Sequence, residues 1–173
     1  MNHLEAIVTE WLDFNGYFTR TGVRVGPRNR GGYDGELDVI GFHPQTKHFI
    51  HVECSTDALS WSKREESFAR KFKSGVKHAG GLFGGMDTPN ELDQVVLHGY
   101  ATAPDQHRKI GGGRLITSQE LVSEIMAGIS REIWRAAIPE NFPLLRTLQL
   151  AKSSGMRTEP PRSTLIPAAS GQL

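Results

Sequence analysis

Two apolar segments that lie close together in the sequence constrain the fold more than any other feature. Residues 36–42 read ELDVIGF and residues 48–55 read HFIHVECS, and a five-residue turn containing Pro44 separates them. Both segments are more apolar than the alternating pattern of a half-exposed strand, which is typical of central strands covered on both faces. We therefore predict that they form paired central strands in a layered α/β domain.

Helices and further strands are predicted on either side of this pair. Apolar residues at helical spacing, from Leu4 to Leu12, predict a first helix that is capped by Asn2 with Glu5 and ended by Gly16. Further strands are predicted over 17–25, 94–102 and 114–116. A second helix is predicted over 61–78, with a candidate capping box at Ser62 and Glu65. A third helix begins at the capping box of Thr117 and Glu120 and runs toward Trp134, and a short helix is predicted over 144–152. This order, α-β-β-β-α-β-β-α, predicts a short mixed sheet flanked by helices.

The two central strands each carry an acidic residue inside an apolar stretch. Side chains alternate faces along a strand, so Asp38 and Glu53 come close together if the two strands pair through the short turn. A buried carboxylate without a partner is costly, and a divalent cation with hard oxygen ligands, Mg²⁺ or Mn²⁺, removes that cost. The alternative is that the two acids are solvated or paired with a neighbouring arginine.

Residues 2–55 resemble the PD-(D/E)XK nuclease superfamily, which includes restriction endonucleases and Holliday-junction resolvases. The family motif is an acid at the start of one strand, followed by (D/E)-x-K on the next; Asp38 in ELDVIGF and Glu53 in HFIHVECS match its two acids. Family members often add a glutamate on the first helix, and Glu5 occupies the corresponding place before Gly16-Tyr17. The resemblance implies a restriction-endonuclease-like αβββαβ core over about residues 2–130. It also implies a metal site made of Glu5, Asp38 and Glu53 and a Mg²⁺- or Mn²⁺-dependent nuclease that acts on DNA.

The chain departs from the family motif at its lysine, because Ser55 stands there. In the family this lysine is thought to position or activate the attacking water and to offset phosphate charge. Three explanations are open. A lysine from the following helix substitutes for it, with Lys63 preferred over Lys71 and Lys73 because it lies nearest the strand end; or Ser55 holds a water while the metal does most of the work; or catalysis is lost and a nucleic-acid-binding or assembly module remains.

Other residues invite functional interpretations that have simpler structural alternatives. His51 shares the predicted face of Glu53 and is either a metal ligand, a proton carrier or, as we prefer, a hydrogen-bonding neighbour. Cys54, the only cysteine, should point to the opposite face and pack as a small apolar side chain. Trp11 and Trp134 are predicted core residues, and Trp61 either stacks on a base or, as we prefer, packs in the protein.

The basic residues predict where a nucleic acid would bind. The net charge of +1 gives no argument for such a partner, so only local clusters count. Two clusters stand out as the sides of a groove: Arg20, Arg24, Arg28 and Arg30 on one side, and Lys71 and Lys73 on the other. Phosphate contacts of this kind give affinity without sequence readout.

The C-terminal part of the sequence has a different character. We predict a domain over residues 1–138, followed by a helical extension and a tail over 139–173 that is rich in Ser, Pro and Gly from Ser153. That tail is a candidate docking segment for a protein partner, and a homodimer is plausible because cutting two strands commonly needs two sites. A bilayer-spanning apolar stretch is absent from the sequence, which predicts a cytoplasmic protein without a membrane partner.

Overall fold

The computed structural model describes residues 2–100 and 106–167. The secondary structure is α1 (His3–Phe14), β1 (Phe18–Pro27), β2 (Tyr33–Phe42), β3 (Phe49–Ser55), α2 (Trp61–His78), a 3₁₀ turn (Gly80–Phe83), β4 (Asp93–His98), β5 (Lys109–Ile110), β6 (Gly113–Thr117), α3 (Ser118–Gly128) and α4 (Pro143–Ser153). This confirms an α/β fold with the predicted order of the longer elements. Of the strand predicted over 94–102, residues 101 and 102 lie outside the described residues.

The sheet is mixed, open and six-stranded, with the order β1-β2-β3-β4-β6-β5. β1, β2 and β3 pair antiparallel, β3, β4 and β6 pair parallel, and β5 closes back antiparallel on β6. The β5–β6 turn consists of Gly111 and Gly112, whose positive φ angles of 59° and 90° suit glycine. The central position of β3 explains why its segment is apolar on both faces.

Helices cover the two faces of the sheet unequally. On one face, α1, α3 and α4 contribute Leu12, Ile125 and Leu145 to the main apolar core, together with Val52 and Leu97 of the sheet. On the other face, Phe68 and Phe72 of α2 pack on Val96 and Leu115. The two faces thus have separate apolar cores, and α2 alone is the long helix of the second face.

Two of the predicted helix caps are present and one is not. The Asn2 side chain accepts hydrogen bonds from the backbone N–H groups of Leu4 and Glu5, and Thr117 with Glu120 forms the predicted capping box. In contrast, α2 begins at Trp61 after Ser60, whose side chain makes no capping hydrogen bond. The predicted box of Ser62 and Glu65 is therefore wrong.

The prediction that α3 runs toward Trp134 is also wrong. The helix ends at Gly128, and Ile129 is extended and buried. Side chains of α4 satisfy the backbone carbonyls that follow: Lys152 donates to Ile129 at 2.8 Å, and Gln149 donates to Ser130 at 3.1 Å and to Ala136 at 2.7 Å. Trp134 consequently lies on the surface, 82% exposed, whereas Trp11 is buried as predicted.

The segment after α4 returns to the body of the protein. Leu165 is fully buried in the main core, and the backbone N–H groups of Leu165 and Ile166 donate to the carboxylate of Glu124. Arg114 donates to the carbonyl oxygens of Thr164 and Leu165. None of the described helices is long and apolar enough to cross a membrane.

Candidate active site

Asp38 and Glu53 converge where β2 and β3 separate. The β2–β3 ladder runs from Phe42 opposite Phe49 to Val39 opposite Val52, and it ends one residue before the two acids. Asp38 bridges the opening, because its Oδ2 accepts the backbone N–H of Cys54 at 2.8 Å. The two acids on which the family resemblance rests are therefore neighbours at one edge of a strand pair.

A lysine from α2 lies between these carboxylates. The Lys71 ammonium donates to Oε2 of Glu53 in a short contact and lies 3.4 Å and 3.5 Å from the two carboxylate oxygens of Asp38. The Glu53 side chain is fully buried and that of Asp38 is 12% exposed, whereas that of Lys71 is 34% exposed. The lysine thus forms the solvent-facing side of the cluster.

Burial and proximity perturb the protonation of all three groups. Burial, with the neighbouring charge of Glu53, raises the pKa of Asp38 to about 7. Burial alone would also raise the pKa of Glu53, but the hydrogen bond from His51 and the Lys71 charge outweigh it and lower that pKa. Burial would lower the pKa of Lys71, yet the two carboxylates raise it. Lys71 therefore offsets only part of the cost of charging Asp38, whose neutral and charged forms are both populated near pH 7.

His51 supports Glu53 from the interior. Its Nε2 lies 2.7 Å from Oε1 of Glu53, and its ring is fully buried, edge-on to Phe72. The preferred sequence interpretation, a hydrogen-bonding neighbour, matches this contact. Cys54 is buried in the main core on the opposite face, as predicted, and burial with nearby carboxylates raises the pKa of its thiol.

Ser55, at the position of the family lysine, is directed to a second cluster. Its hydroxyl donates to Asp57 in a short contact, and Arg64 of α2 donates to Oδ1 of Asp57 at 2.9 Å and to its carbonyl oxygen at 2.8 Å. Burial would raise the pKa of Asp57, but the hydrogen bonds from Ser55 and Arg64 lower it to about 2. The cluster joins the end of β3 to the start of α2, so Ser55 has a structural partner.

The structure corrects the choice among the lysines. Lys63 is exposed, and among the described residues it makes no hydrogen bond or ion pair, whereas Lys71 contacts both acids. The reason is the path of α2, which runs back along β3, with Arg64 beside Asp57, Lys71 beside Glu53 and Gly75 against His51. A sequence signal existed: Lys71 follows Phe68 by three residues and Arg64 by seven, on the stripe that faces the sheet.

Glu5 does not complete a three-acid cage. It is buried in the first turn of α1, and its charge contributes to the raised pKa of the Cys54 thiol, so it borders the site from the α1 side. Across residues 2–100 and 106–167, no group of three or more His, Cys, Asp or Glu side chains could hold a metal ion. Asp38 and Glu53 do supply two converging carboxylates, and a hydrated Mg²⁺ or Mn²⁺ commonly takes one or two carboxylates from a protein together with water and phosphate oxygens.

The predicted basic groove is partly neutralised by acids of its own hairpin. Arg28 pairs with Asp34 at 3.1 Å, and Arg24 lies 3.6 Å from Glu36. Arg20 donates to the carbonyl of Leu82. Arg30 and Lys73 are exposed. The sequence cluster looked more basic than the folded hairpin is, because Glu36 of β2 lies opposite Arg24 of β1 and Asp34 pairs with Arg28 just beyond the end of β1.

Two cavities lie away from the acidic pair. One, of about 710 Å³, lies between α3 and residues 158–162. The other, of about 620 Å³, is lined by His48, Asp93 and Arg114 at the opposite end of the strands from Ser55. Neither is lined by Asp38, Glu53 or Lys71.

The indole ring of Trp61 packs against other side chains of the protein. Its indole stacks on His107, with ring centroids 3.9 Å apart, and the Arg64 guanidinium lies 5.0 Å from the ring centroid. These contacts agree with the packing interpretation.

Comparisons with known proteins give little further information. No protein-family model matches the chain, and no curated protein matches it. Among solved structures, the chain is similar to a protein of unknown function, AF1548, with 10% sequence identity and a TM-score of 0.45; the match covers 88% of this chain and 98% of that one.

Proposed function

We propose that this protein is a metal-dependent nuclease that hydrolyses phosphodiester bonds, most simply in DNA. The observation that carries the proposal is the convergence of Asp38, Glu53 and Lys71 at one point. Two acids on adjacent strands with a lysine between them are the residue types of the PD-(D/E)XK site that the sequence resembles. The lysine comes from α2, so the substitution at Ser55 does not remove it.

Each residue has a distinct role in this proposal. Asp38 and Glu53 would hold Mg²⁺ or Mn²⁺, and such an ion supplies the Lewis acidity that stabilises charge on a reacting phosphate. Lys71, which is the most exposed of the three, would face the scissile phosphate, offset its negative charge and orient the attacking water. Arg30 and Lys73 on the surface would contact neighbouring phosphates.

The test compares lysine variants on the same helix. Supercoiled plasmid, single-stranded DNA and RNA are incubated with the full chain and Mg²⁺, Mn²⁺ or EDTA. We expect metal-dependent cleavage that EDTA abolishes and that falls by roughly 100-fold or more in Lys71→Met, in line with the loss of a positioned proton-transfer or charge-stabilising group. Lys63→Met is the matched control and should stay within about threefold of the wild type, since an exposed lysine without partners contributes little.

Two results would remove the assignment. Cleavage that survives Asp38→Ala and Glu53→Ala comes from another site or from a contaminating nuclease. Equal losses in Lys63→Met and Lys71→Met would show that general surface charge matters and that the position of Lys71 does not.

A second candidate function is a non-catalytic nucleic-acid-binding or assembly module on the same scaffold. The observation that favours it is the lack of a third acid beside Asp38 and Glu53 among the described residues. It predicts salt-dependent binding without cleavage. Calorimetric titration with Mn²⁺ separates the two candidates, because heat that disappears in Asp38→Asn supports the nuclease and no heat in the wild type supports the module.

A further inference from the structure

The His51 side chain is confined more tightly than its neighbours in the core. The ring is fully buried, and its centroid lies 5.4 Å from that of Phe72 with an interplanar angle of 88°. On its other side α2 approaches so closely that a Cβ on Gly75 would lie 2.2 Å from Nδ1. The imidazole is therefore held in one orientation between β3 and α2.

That orientation assigns the two oxygens of Glu53 to different partners. A carboxylate only accepts hydrogen bonds, so Nε2 of His51 carries the hydrogen and donates to Oε1 at 2.7 Å. The second oxygen, Oε2, accepts from the Lys71 ammonium, which also contacts both carboxylate oxygens of Asp38. With Oε1 occupied by His51, Glu53 presents a single oxygen to the ammonium that it shares with Asp38.

Holding the His51 ring in this orientation leaves its other nitrogen, Nδ1, without a hydrogen bond among the described residues. Nδ1 is buried, and a buried polar group without a partner destabilises the folded state. An apolar residue in the same place would avoid this, and the neighbouring core positions Phe49 and Val52 are apolar. Stability alone does not account for a histidine here.

We propose that His51 is a positioning residue that fixes the Glu53 carboxylate so that only Oε2 faces Asp38 and Lys71. The inference rests on the proposed function, since it states how the metal-holding acid of that site is oriented. His51 is too deeply buried to contact substrate, so its effect passes through Glu53.

The test replaces His51 in the full chain by two residues that differ in one property. His51→Gln can place an amide N–H near the position of Nε2, and His51→Leu cannot donate. We expect His51→Leu to lower kcat and Mn²⁺ affinity by roughly 10- to 100-fold, as loss of a partner behind a metal ligand does, with an unchanged KM for DNA. His51→Gln should recover most of both losses. If His51→Leu does not fold, His51→Asn replaces it, because its shorter amide does not reach Oε1.

Crystal structures of the wild type and of the non-donating variant provide a readout that does not depend on activity. The inference requires the Glu53 carboxylate to rotate when the donor is lost and to keep its place in His51→Gln. An unmoved carboxylate in the non-donating variant overturns it, as does wild-type kcat in an active protein, or failure of His51→Gln to differ from His51→Leu. If the wild type neither cleaves nor binds Mn²⁺, the proposed function fails. The crystal structures then decide by themselves whether His51 positions Glu53, because they show whether the carboxylate rotates in the non-donating variant.

Discussion

Gly75 of α2 lies directly against the ring of His51, on the strand that carries the candidate site. Replacing a helix-interior glycine with alanine ordinarily stabilises a protein by about 1 kcal/mol. Here the new Cβ would lie 2.2 Å from Nδ1 and 2.7 Å from Cε1 of a ring that is itself packed on Phe72. We expect Gly75→Ala to reverse the usual sign and to lower the free energy of unfolding by about 1–3 kcal/mol, the typical cost of overpacking.

Urea denaturation of Gly75→Ala and Gly81→Ala side by side measures this effect. Gly81 lies in the 3₁₀ turn after α2, has open space around its Cβ position and does not require a positive φ. Its replacement should be neutral or slightly stabilising. A Gly75→Ala protein as stable as the wild type would mean that α2 can move away from β3, and the fixed orientation of His51 would no longer follow.

The register of α2 against β3 decides which lysine reaches the acidic pair. Arg64, whose side chain is 5% exposed, binds Asp57 at the start of the helix, and Lys71 lies two turns further on the same stripe. Because Arg64 is buried and makes two hydrogen bonds to Asp57, whose side chain is 32% exposed, we expect a double-mutant cycle of Asp57→Asn and Arg64→Met to give a coupling energy of about 1–2 kcal/mol.

The exposed pair of Arg24 and Glu36 is the matched control for this cycle. Its side chains are 68% and 55% exposed, and 3.6 Å separates Nε from the carboxylate. The coupling energy in that pair should stay below about 0.5 kcal/mol. Equal coupling in the two pairs would show that Asp57 and Arg64 do not anchor the helix.

Periodicity along single elements predicted much of this arrangement. The bounds of α2 and the central place of the two apolar strands follow from local patterns of apolar residues, and these predictions are confirmed. The acidic pair was also predictable, because a short turn between two strands brings Asp38 and Glu53 near one another. The stripe of α2 that faces the sheet already favoured Lys71 over Lys63, but its contact with the acidic pair also depends on the direction in which α2 runs along β3, which the stripe does not specify.

Contacts between distant parts of the chain explain the remaining differences. Trp134 is exposed because side chains of α4 satisfy the extended segment after Gly128, and no local pattern indicates that Gln149 and Lys152 do so. The pairing of Glu36 with Arg24 became apparent only once β1 and β2 were in register. In both cases the decisive partner lies on another element.

A polar network at the far end of the sheet joins five separate parts of the molecule. Asp93, at the start of β4, accepts hydrogen bonds from Arg114 of β6 and lies 3.2 Å from Nε2 of His48. His48 in turn contacts the hydroxyl of Tyr17 at 2.6 Å. Since Arg114 also donates to carbonyl oxygens of the C-terminal segment, Asp93 orients an arginine that binds that segment.

This network predicts a pH-dependent contribution to stability. Burial would raise the pKa of Asp93, but hydrogen bonds from His48 and Arg114 outweigh it and lower that pKa from 3.8 to about 2. The folded state therefore favours the carboxylate. Its contribution is complete above the unfolded-state pKa near 4 and is lost as the pH falls toward 2. We expect Asp93→Asn to lower the free energy of unfolding by about 1–3 kcal/mol at pH 7, the scale of one to two pKa units.

Urea midpoints at pH 7, 4 and 2.5 test this expectation. Asp87→Asn is the control, because the Asp87 side chain is 93% exposed and pairs with Lys47 at the surface. The difference in the free energy of unfolding between wild type and Asp93→Asn should shrink as the pH falls, since a protonated Asp93 resembles asparagine. The control variant should differ from the wild type by less than about 0.5 kcal/mol at every pH. Limited proteolysis at pH 7 should cut Asp93→Asn faster within residues 154–167, because Arg114 loses the partner that orients it toward Thr164 and Leu165. A difference in the free energy of unfolding that stays constant with pH would show that Asp93 does not act through its charge. An unchanged cleavage rate would show that the buried Leu165 and the Glu124 carboxylate hold the segment without Arg114.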